Sequence, residues 1–594
     1  MKMPSLRVSL ALLAGACAPL VAPACINSDN NGPSPDAGNL ALPDGGGAFD
    51  TGATGLDAAL DAAPTATDAS DGGGGDAVES GTPDAGNDAG AGDSGTDSST
   101  NDAGTDAAPA LGTTYYVDPV NGLDTNSGLA ANAAFKAIAK AEQTIDALDA
   151  GAGPFQIKLA AGTYSAANQT AMEIFFHNPV ALVAPAAGGA VFLGQGPAGA
   201  QEGLIFEGGG SVQNLALKDT WYGLEGMAGS FNVAGCSFDG AGQGGYFVAF
   251  VGNTVGTLDT TAPTATITNV VASSLGGLYV DGTAKVTWYG GGSTNVTTTT
   301  NDSLVFMRGG AQLTINRVNV TNWAGYVVVG YDQVTVTVEG STITGSGFPT
   351  GGAGPGEGGA IWLGGSQTGA PSPSLTLTNT SITGSKGSAV FVGTAPNTAA
   401  VNLTVTSSHL DGNSSGGVWV QGGTNPALAV NINVTSSTFD NNGFFGINSL
   451  RATATFAGTG NSVSGNGATA TANGYTPGGI LLTDAASTNA ITMRSAAVGG
   501  NTGNQISLTG TGASNLDLGT SASAGGVTFS GVAAGKTAVN LGAAIDGTAV
   551  GDTWLASTQG ADSAGHFPAS TTLSGPVSGQ NATLVTGATL DVSP

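Results

Sequence analysis

The sequence predicts an all-β solenoid of stacked parallel strands, on three observations. Four segments superpose, VTVTVEGSTITGSG (334–347), SLTLTNTSITGSKG (374–387), NLTVTSSHLDGNSS (402–415) and NINVTSSTFDNNG (431–443), bringing Ile343, Ile382, Leu410 and Phe439 into one column at spacings of 39, 28 and 29 residues. A glycine-bracketed apolar run returns with an aromatic in its middle, as GGAIWLGG (358–365), GSAVFVGT (387–394) and GGVWVQGG (416–423). Glycine numbers 100 of 594 residues and only 9% are charged, while Thr, Val, Asn and Ser abound, which suits short strands and tight turns. Strand, Asn/Gly turn and strand repeated every 20–40 residues mark a solenoid. A β-propeller would need four strands per 40–50 residues, where two or three are legible. Some 15–20 coils are expected.

The first 24 residues read as an export signal: Lys2 and Arg7, an apolar run VSLALLAGACAPLVA, then Ala22-Pro23-Ala24. Cys25 follows at once, so the stretch resembles a bacterial lipoprotein signal with Cys25 as the lipidated residue. Pro23 and Ala22 depart from the usual residues of that motif, and Leu13–Cys17 is a second imperfect match. Residues 25–110 form an acidic Asp/Ala/Gly-rich segment; from Ile26 onward it holds 16 acidic and no basic residues. Such a composition cannot bury enough apolar surface to offset its ordering entropy, so a disordered tether is expected. The formal net charge of −28 argues against a nucleic-acid partner, since phosphate binding needs a basic patch. After the signal no apolar run is long enough to span a bilayer. With Cys236 the one cysteine beyond Cys25, no disulfide framework is expected, and Cys236 reads as a small buried hydrophobe.

From residue 111 the texture changes. TYYV begins a strand, Tyr115 to Asp118, and the turn cluster PVNGLDTNSG follows. AFKAIAKAEQTIDALDAG places Phe135, Ile138, Ile145 and Leu148 on one helical stripe, and FQIKL then alternates as a strand with Ile157 and Leu159 inward. This run resembles the start of a right-handed parallel β-helix of the pectin-lyase-like superfamily, and within it the uncharacterised DUF1565 family. That family opens Y-V-D-P…N-G-D…S-G before an F-K-x-I helix and an x-A-G-T-Y strand; here Leu123 interrupts N-G-D. The resemblance implies a single-stranded right-handed parallel β-helix over 111–594, with the helix capping its first coil and blunting an open sheet edge. It implies nothing definite about activity.

Two constellations are candidate sites. Strand alternation turns Trp362, Phe391 and Trp419 outward in successive coils, and Tyr279 of GGLYVDG extends the line. Outward aromatics are a means of gripping flat sugar faces, so these residues are the candidate polysaccharide ligands; a covering turn, or a register one residue out, would make them structural. Asp411 and Asp440 occupy equivalent places in adjacent coils with His409 and Lys386 near them, a spacing that suits paired glycosidase carboxylates or a calcium ion. Asp and Asn bonding to local backbone in F-D-N-N turns is the structural alternative. The motifs of the superfamily's enzymes are missing: no N-T-D, D-D, G-H-G and R-I-K set of polygalacturonases, and no R-x-P-x-x-R of pectate lyases. The three histidines lack metal-ligand spacing, and GNSSG and GQGPAG match nucleophile and dinucleotide motifs without the helix each needs. No cofactor is expected. The expected protein is an exported, lipid-anchored monomer that binds polysaccharide or a surface partner without catalysis. A carbohydrate-active lyase or hydrolase, and a plain scaffold or adhesin, remain the alternatives.

Overall fold

In the four coils from 334 to 443 the backbone enters the left-handed region at two corners. At the first corner Gly340, Asn379, Ser407 and Ser436 have φ of 55°, 48°, 49° and 50° in successive coils, and at the second Gly345, Gly384, Gly412 and Asn441 have 67°, 64°, 64° and 57°. Glycine and asparagine tolerate this conformation best, which is why Asn/Gly turns punctuate the repeats. The computed structural model describes residues 112–148, 153–186, 188–196, 203–239, 246–259, 266–268, 276–294, 303–348, 358–364, 373–393, 401–421, 430–470, 476–484, 486–511, 513–555, 561, 563, 565–567, 571–574 and 577–593. The signal segment, Cys25 and the acidic segment lie outside the described residues.

Between the corners run three strands per coil, and like strands of successive coils pair in parallel to give three sheets. Among the described residues the long sheet has 18 strands and the second sheet 16. The third, narrow sheet has 10 strands and resumes as a group of three, joined to the first ten through bridges at Thr438. One coil shows the plan: Ser374–Thr378 lies in the long sheet, Ser381–Thr383 in the third and Val390–Gly393 in the second. The fold is a right-handed parallel β-helix, as the repeats and the resemblance led us to expect. Ile343, Ile382 and Leu410 pair in register, and Leu410 donates its N–H to Thr438 O beside Phe439; all four are buried.

Alternate residues of each strand fill one continuous interior, with stacks such as Val336–Leu375–Leu403–Ile432 and Val328–Ile361–Val390–Val418. Each such side chain contributes about 1.5–3 kcal/mol when fully buried. Polar ladders hold the corners. The buried amides of Asn413, Asn442, Asn466 and Asn501 accept from the backbone N–H of the preceding coil at 2.9–3.0 Å. Their Nδ2 groups donate to Ile382, Leu410, Phe439 and Val463 O. A buried N–H or C=O costs free energy unless paired, and these amides satisfy one of each per coil.

The helix Ile138–Asp146 covers the first coil with Ile138, Ala139, Ala141 and Ile145. The approach to the helix and its first amide are held from a distance: Asp124 Oδ1 accepts from Lys136 N and Ala137 N at 2.9 Å, and Gln169 Oε1 accepts from Ile138 N at 2.8 Å. Phe135, expected on the helix, lies before it in a bridge to Val117, and Leu148 is 39% exposed beyond the helix end rather than on its buried stripe. The first strand runs Thr114–Val117, one residue earlier than expected. At the other end Thr572–Ser574 and Val577–Ser578 close the long and second sheets by antiparallel pairing. Cys236 is buried and free, and burial pushes its thiol up to about 12. Among the described residues no helix is long and apolar enough to cross a membrane.

Candidate functional site

The aromatics stand where alternation puts them. Val329, Trp362, Phe391 and Trp419 pair in one column of the second sheet while Ile361, Leu363, Val390 and Val392 face inward. Tyr279 joins the line through Phe306 and Val329. Their exposure differs from expectation. Trp362 is 8% and Phe391 4% exposed, and Trp419 is half-buried. They form an outer apolar cluster with Tyr326, Val329 and Tyr331, distinct from the interior. The rings also pack on one another: Tyr246–Tyr279 and Tyr279–Phe306 stack at 5.5 and 5.7 Å with interplanar angles of 19° and 3°, and Tyr331 lies 4.7 Å from Trp362, tilted by 55°. Stacking is confined to Tyr246, Tyr279 and Phe306; Trp419 meets Phe391 and Phe445 edge-on at 69° and 86°.

The glycine bracket has a packing cause. A Cβ on Gly364 would stand 2.0 Å from Cη2 of Trp362, so the indole lies over backbone that only glycine leaves bare. A Cβ on Gly359 would fall 1.7 Å from Ser388 O of the next coil.

Asp411 and Asp440 are brought together, as expected, but their oxygens serve the next coil. Asp411 accepts from Asp440 N and Thr438 Oγ1, both at 2.7 Å, and Asp440 accepts from Ser464 N at 2.7 Å and Ser462 Oγ at 2.9 Å. Exposed His409 meets Thr438 Oγ1 at 2.9 Å through Nδ1. Burial pushes the Asp440 carboxyl up, the bonds from Ser462 and Ser464 oppose this, and the Asp411 charge adds to the rise. These carboxylates staple coils. Lys386 is exposed one coil earlier.

Sequence reasoning missed two features. On the second sheet Glu225, 3% exposed, accepts from Tyr246 Oη at 3.0 Å through Oε2, while Oε1 has no hydrogen-bond partner among the described residues. Burial pushes its carboxyl up to about 7; the Tyr246 bond opposes this, and the Glu207 and Glu173 charges reinforce it. Tyr279 and Arg308 both reach Asp281 Oδ2 at 2.8 Å, and Arg308 lies over the Tyr279 ring at 5.5 Å.

The second feature is the outer face of the long sheet. Its central column runs Thr257, Thr287, Thr314, Thr337, Thr376, Thr404, Asn433, Thr455, Thr492, paired coil to coil without a slip. Beside it stand Gln312, Thr335, Ser374, Asn402 and Asn431 on one flank and Thr378, Thr406 and Thr435 on the other. All of these side chains are half-buried or exposed. At its N-terminal part a groove of about 440 Å³ is lined by Asn232, Thr257, Lys285, Thr287, Gln312 and Thr314, with Ser230 and Val255. The T-x-T alternation is plain in VTVTVE, SLTLT and NLTVT; what the repeats did not reveal is that this face keeps its side chains accessible while Trp362 and Phe391 are buried.

Groups able to ligate a metal converge at one place among the described residues, Glu142 and Asp146 on the capping helix and His177 beside it, with donor atoms within 4.8 Å of one another.

These features define a right-handed parallel β-helix with an outer aromatic column buried at Trp362 and Phe391 and half-buried at Tyr279, Phe306 and Trp419, and an outer hydroxyl-rich face whose side chains are half-buried or exposed. By sequence, residues 303–520 match the family model of the right-handed β-helix region. No curated protein matches the chain by sequence. Among solved structures it is similar to the catalytic domain of a GH87 alpha-1,3-glucanase in complex with nigerose, at 11% identity and a TM-score of 0.30 over 55% of this chain, spanning 62% of that domain's length. It is similar also to a rhamnogalacturonan lyase (12% identity, 72% of this chain and 84% of that one, TM-score 0.23). A third is the mannuronan C-5 epimerase A-module of Azotobacter vinelandii (14% identity, 69% and 90%, TM-score 0.24). Likeness at these identities is one of fold and carries no activity across.

Proposed function

We propose that this protein binds polysaccharide, without catalysis, along the open outer face of its long sheet. The observation that carries the reading is the unbroken column from Thr257 to Thr492, which sets a hydroxyl or amide at the same height in every coil. Coils repeat at about 4.8 Å and alternate strand residues at about 6.6 Å, so a polymer of repeating polar units meets repeating donors and acceptors. Each contact is weak and the sum over coils is not, because the array is linked in advance. Trp362, Phe391 and Trp419 then act as the covering and stiffening of the second sheet. In this reading the N-terminal segment exports the chain, Cys25 carries a lipid, and the acidic segment 25–110 holds the β-helix off a bacterial surface. The narrower kinship with the DUF1565 family, resting on the opening from Tyr116 to Gly128, the F-K-x-I run at Phe135–Ile138 and the A-G-T-Y strand at Ala161–Tyr164, belongs to the same reading.

The test is native electrophoresis of the full chain through gels containing a panel of neutral and acidic polysaccharides, each gel then stained for polymer. Retardation over intact polymer, lost in Thr314→Lys with Thr376→Lys and kept in Trp362→Ala with Trp419→Ala, supports the long-sheet face. The opposite pattern returns the site to the aromatic column. A cleared zone would mean catalysis, and mobility unchanged by every polymer removes the binding reading.

A further inference from the structure

We propose that the long-sheet face is built for the surface of a solid, neutral polysaccharide, several parallel chains at a time, rather than for one dissolved chain. The inference rests on the binding reading above and names its substrate class. Three observations carry it.

The array is two-dimensional. Across the four coils from Ser374 to Ala457 the three outward columns read Ser374-Thr376-Thr378, Asn402-Thr404-Thr406, Asn431-Asn433-Thr435 and Thr453-Thr455-Ala457, in register throughout. A single dissolved chain laid on this face engages one column or crosses one coil, leaving the remaining hydroxyls to water. Neighbouring chains fixed side by side engage all three.

The array is preorganised. Threonine is stiff at χ1, so its hydroxyl and methyl hold fixed places on the pleat. Bonds between coils tie the central column and one flank: Thr257 Oγ1 donates to Asn232 Oδ1 at 2.8 Å, Asn431 Nδ2 to Asn402 Oδ1 at 3.0 Å, and Ser374 Oγ to Thr335 Oγ1 at 3.4 Å. A rigid lattice loses little further freedom against a rigid partner and cannot adapt to a flexible one.

Four adjacent coils of the array are uncharged within a strongly anionic chain, with Glu339 on one flank in the coil before them, Lys285 on the other flank further back and Asp517 beyond Thr492. Those four coils present no ionisable side chain on this face, although the chain carries 41 Asp and Glu against 13 Lys and Arg. A polyanion would be repelled by the chain's net charge and would find no cation within these four coils. A neutral hydroxyl-rich polymer incurs neither cost.

The experiment is depletion of the full chain from solution by crystalline cellulose and crystalline chitin. Alongside run swollen amorphous cellulose, an insoluble pectate gel, and soluble hydroxyethyl cellulose in affinity gels. Depletion by at least one crystalline neutral polymer is expected, at least tenfold greater per unit area than by the amorphous form and unchanged in 1 M salt. Thr376→Lys with Thr404→Lys should reduce it at least tenfold, while Thr376→Ser retains most of it; unchanged circular dichroism checks that both variants are folded. Retardation by the soluble polymer without depletion by any crystal overturns this inference and leaves the binding reading standing. Equal binding to amorphous and crystalline forms, or binding to pectate that salt abolishes, also overturns it. If nothing binds in either format, both fall.

Discussion

Replacing Glu225 by glutamine should make the protein more stable above neutral pH and change little below pH 4.5. The carboxyl is 3% exposed, and its pKa is raised from 4.5 to about 7, with burial the main cause. A raised folded-state pKa means that the folded chain holds the proton more tightly than the unfolded one. The stability this confers is fully present below about pH 4.5, is lost as pH rises toward 7, and stays lost above it. The shift of roughly 2.5 units at 1.36 kcal/mol per unit gives about 3 kcal/mol between the two limits. Glu225→Gln cannot ionise, so it lacks this loss; at low pH the two proteins differ by no more than about 1 kcal/mol, since Gln still accepts from Tyr246. The assay is urea unfolding of both proteins at half-unit steps from pH 4.5 to 8.5. Other carboxyls pushed up by burial, such as Asp552 at about 8, act equally in both proteins and cancel in the difference. The expected curve rises in favour of the variant and levels off near pH 7.5. A difference that stays flat across the range would refute the argument that burial holds this proton.

Other expectations follow from the same geometry. Asn442→Ala leaves Asn413 N and Leu410 O buried without partners, at about 1–3 kcal/mol each, and should lower the melting temperature measurably. Gly364→Ala drives a methyl into the Trp362 ring and should both destabilise the fold and red-shift tryptophan emission as the indole is displaced toward water. Asp411→Ala removes the acceptor of Asp440 N and Thr438 Oγ1; calorimetry should show a loss of about 1–3 kcal/mol, with polymer retardation in native gels unchanged. Cys25→Ser should abolish incorporation of labelled palmitate in a bacterial host, and equal labelling of the variant would place any lipid elsewhere.

The covered ridge shows how far strand periodicity reaches. Alternation in GGAIWLGG assigned Trp362 to the outside and Ile361 to the inside, because side-chain direction along a strand is local. Whether that outside is wet depends on rings contributed by other coils, Tyr331 above all, and no local pattern states it. The acidic pair is similar: the repeat length brought Asp411 beside Asp440, but whether those oxygens face a substrate or the next coil's amides is a matter of rotamer and corner geometry. Glu225 left no trace in the sequence, since a glutamate in a loose early repeat looks like any surface acid until Tyr246 and two neighbouring carboxylates are folded around it.

By itself the sequence determined the solenoid, its parallel register from Ile343 to Phe439, its capping helix and the aromatic column. All of these follow from periods of apolar and glycine residues that a chain of fixed strand geometry must satisfy coil after coil. Tertiary structure alone decided which of the outer faces lies open, because exposure is a property of what other segments do. It covered the aromatics, spent the acidic pair on stapling, and left the threonine column, first legible only as β-propensity, as the surface facing water.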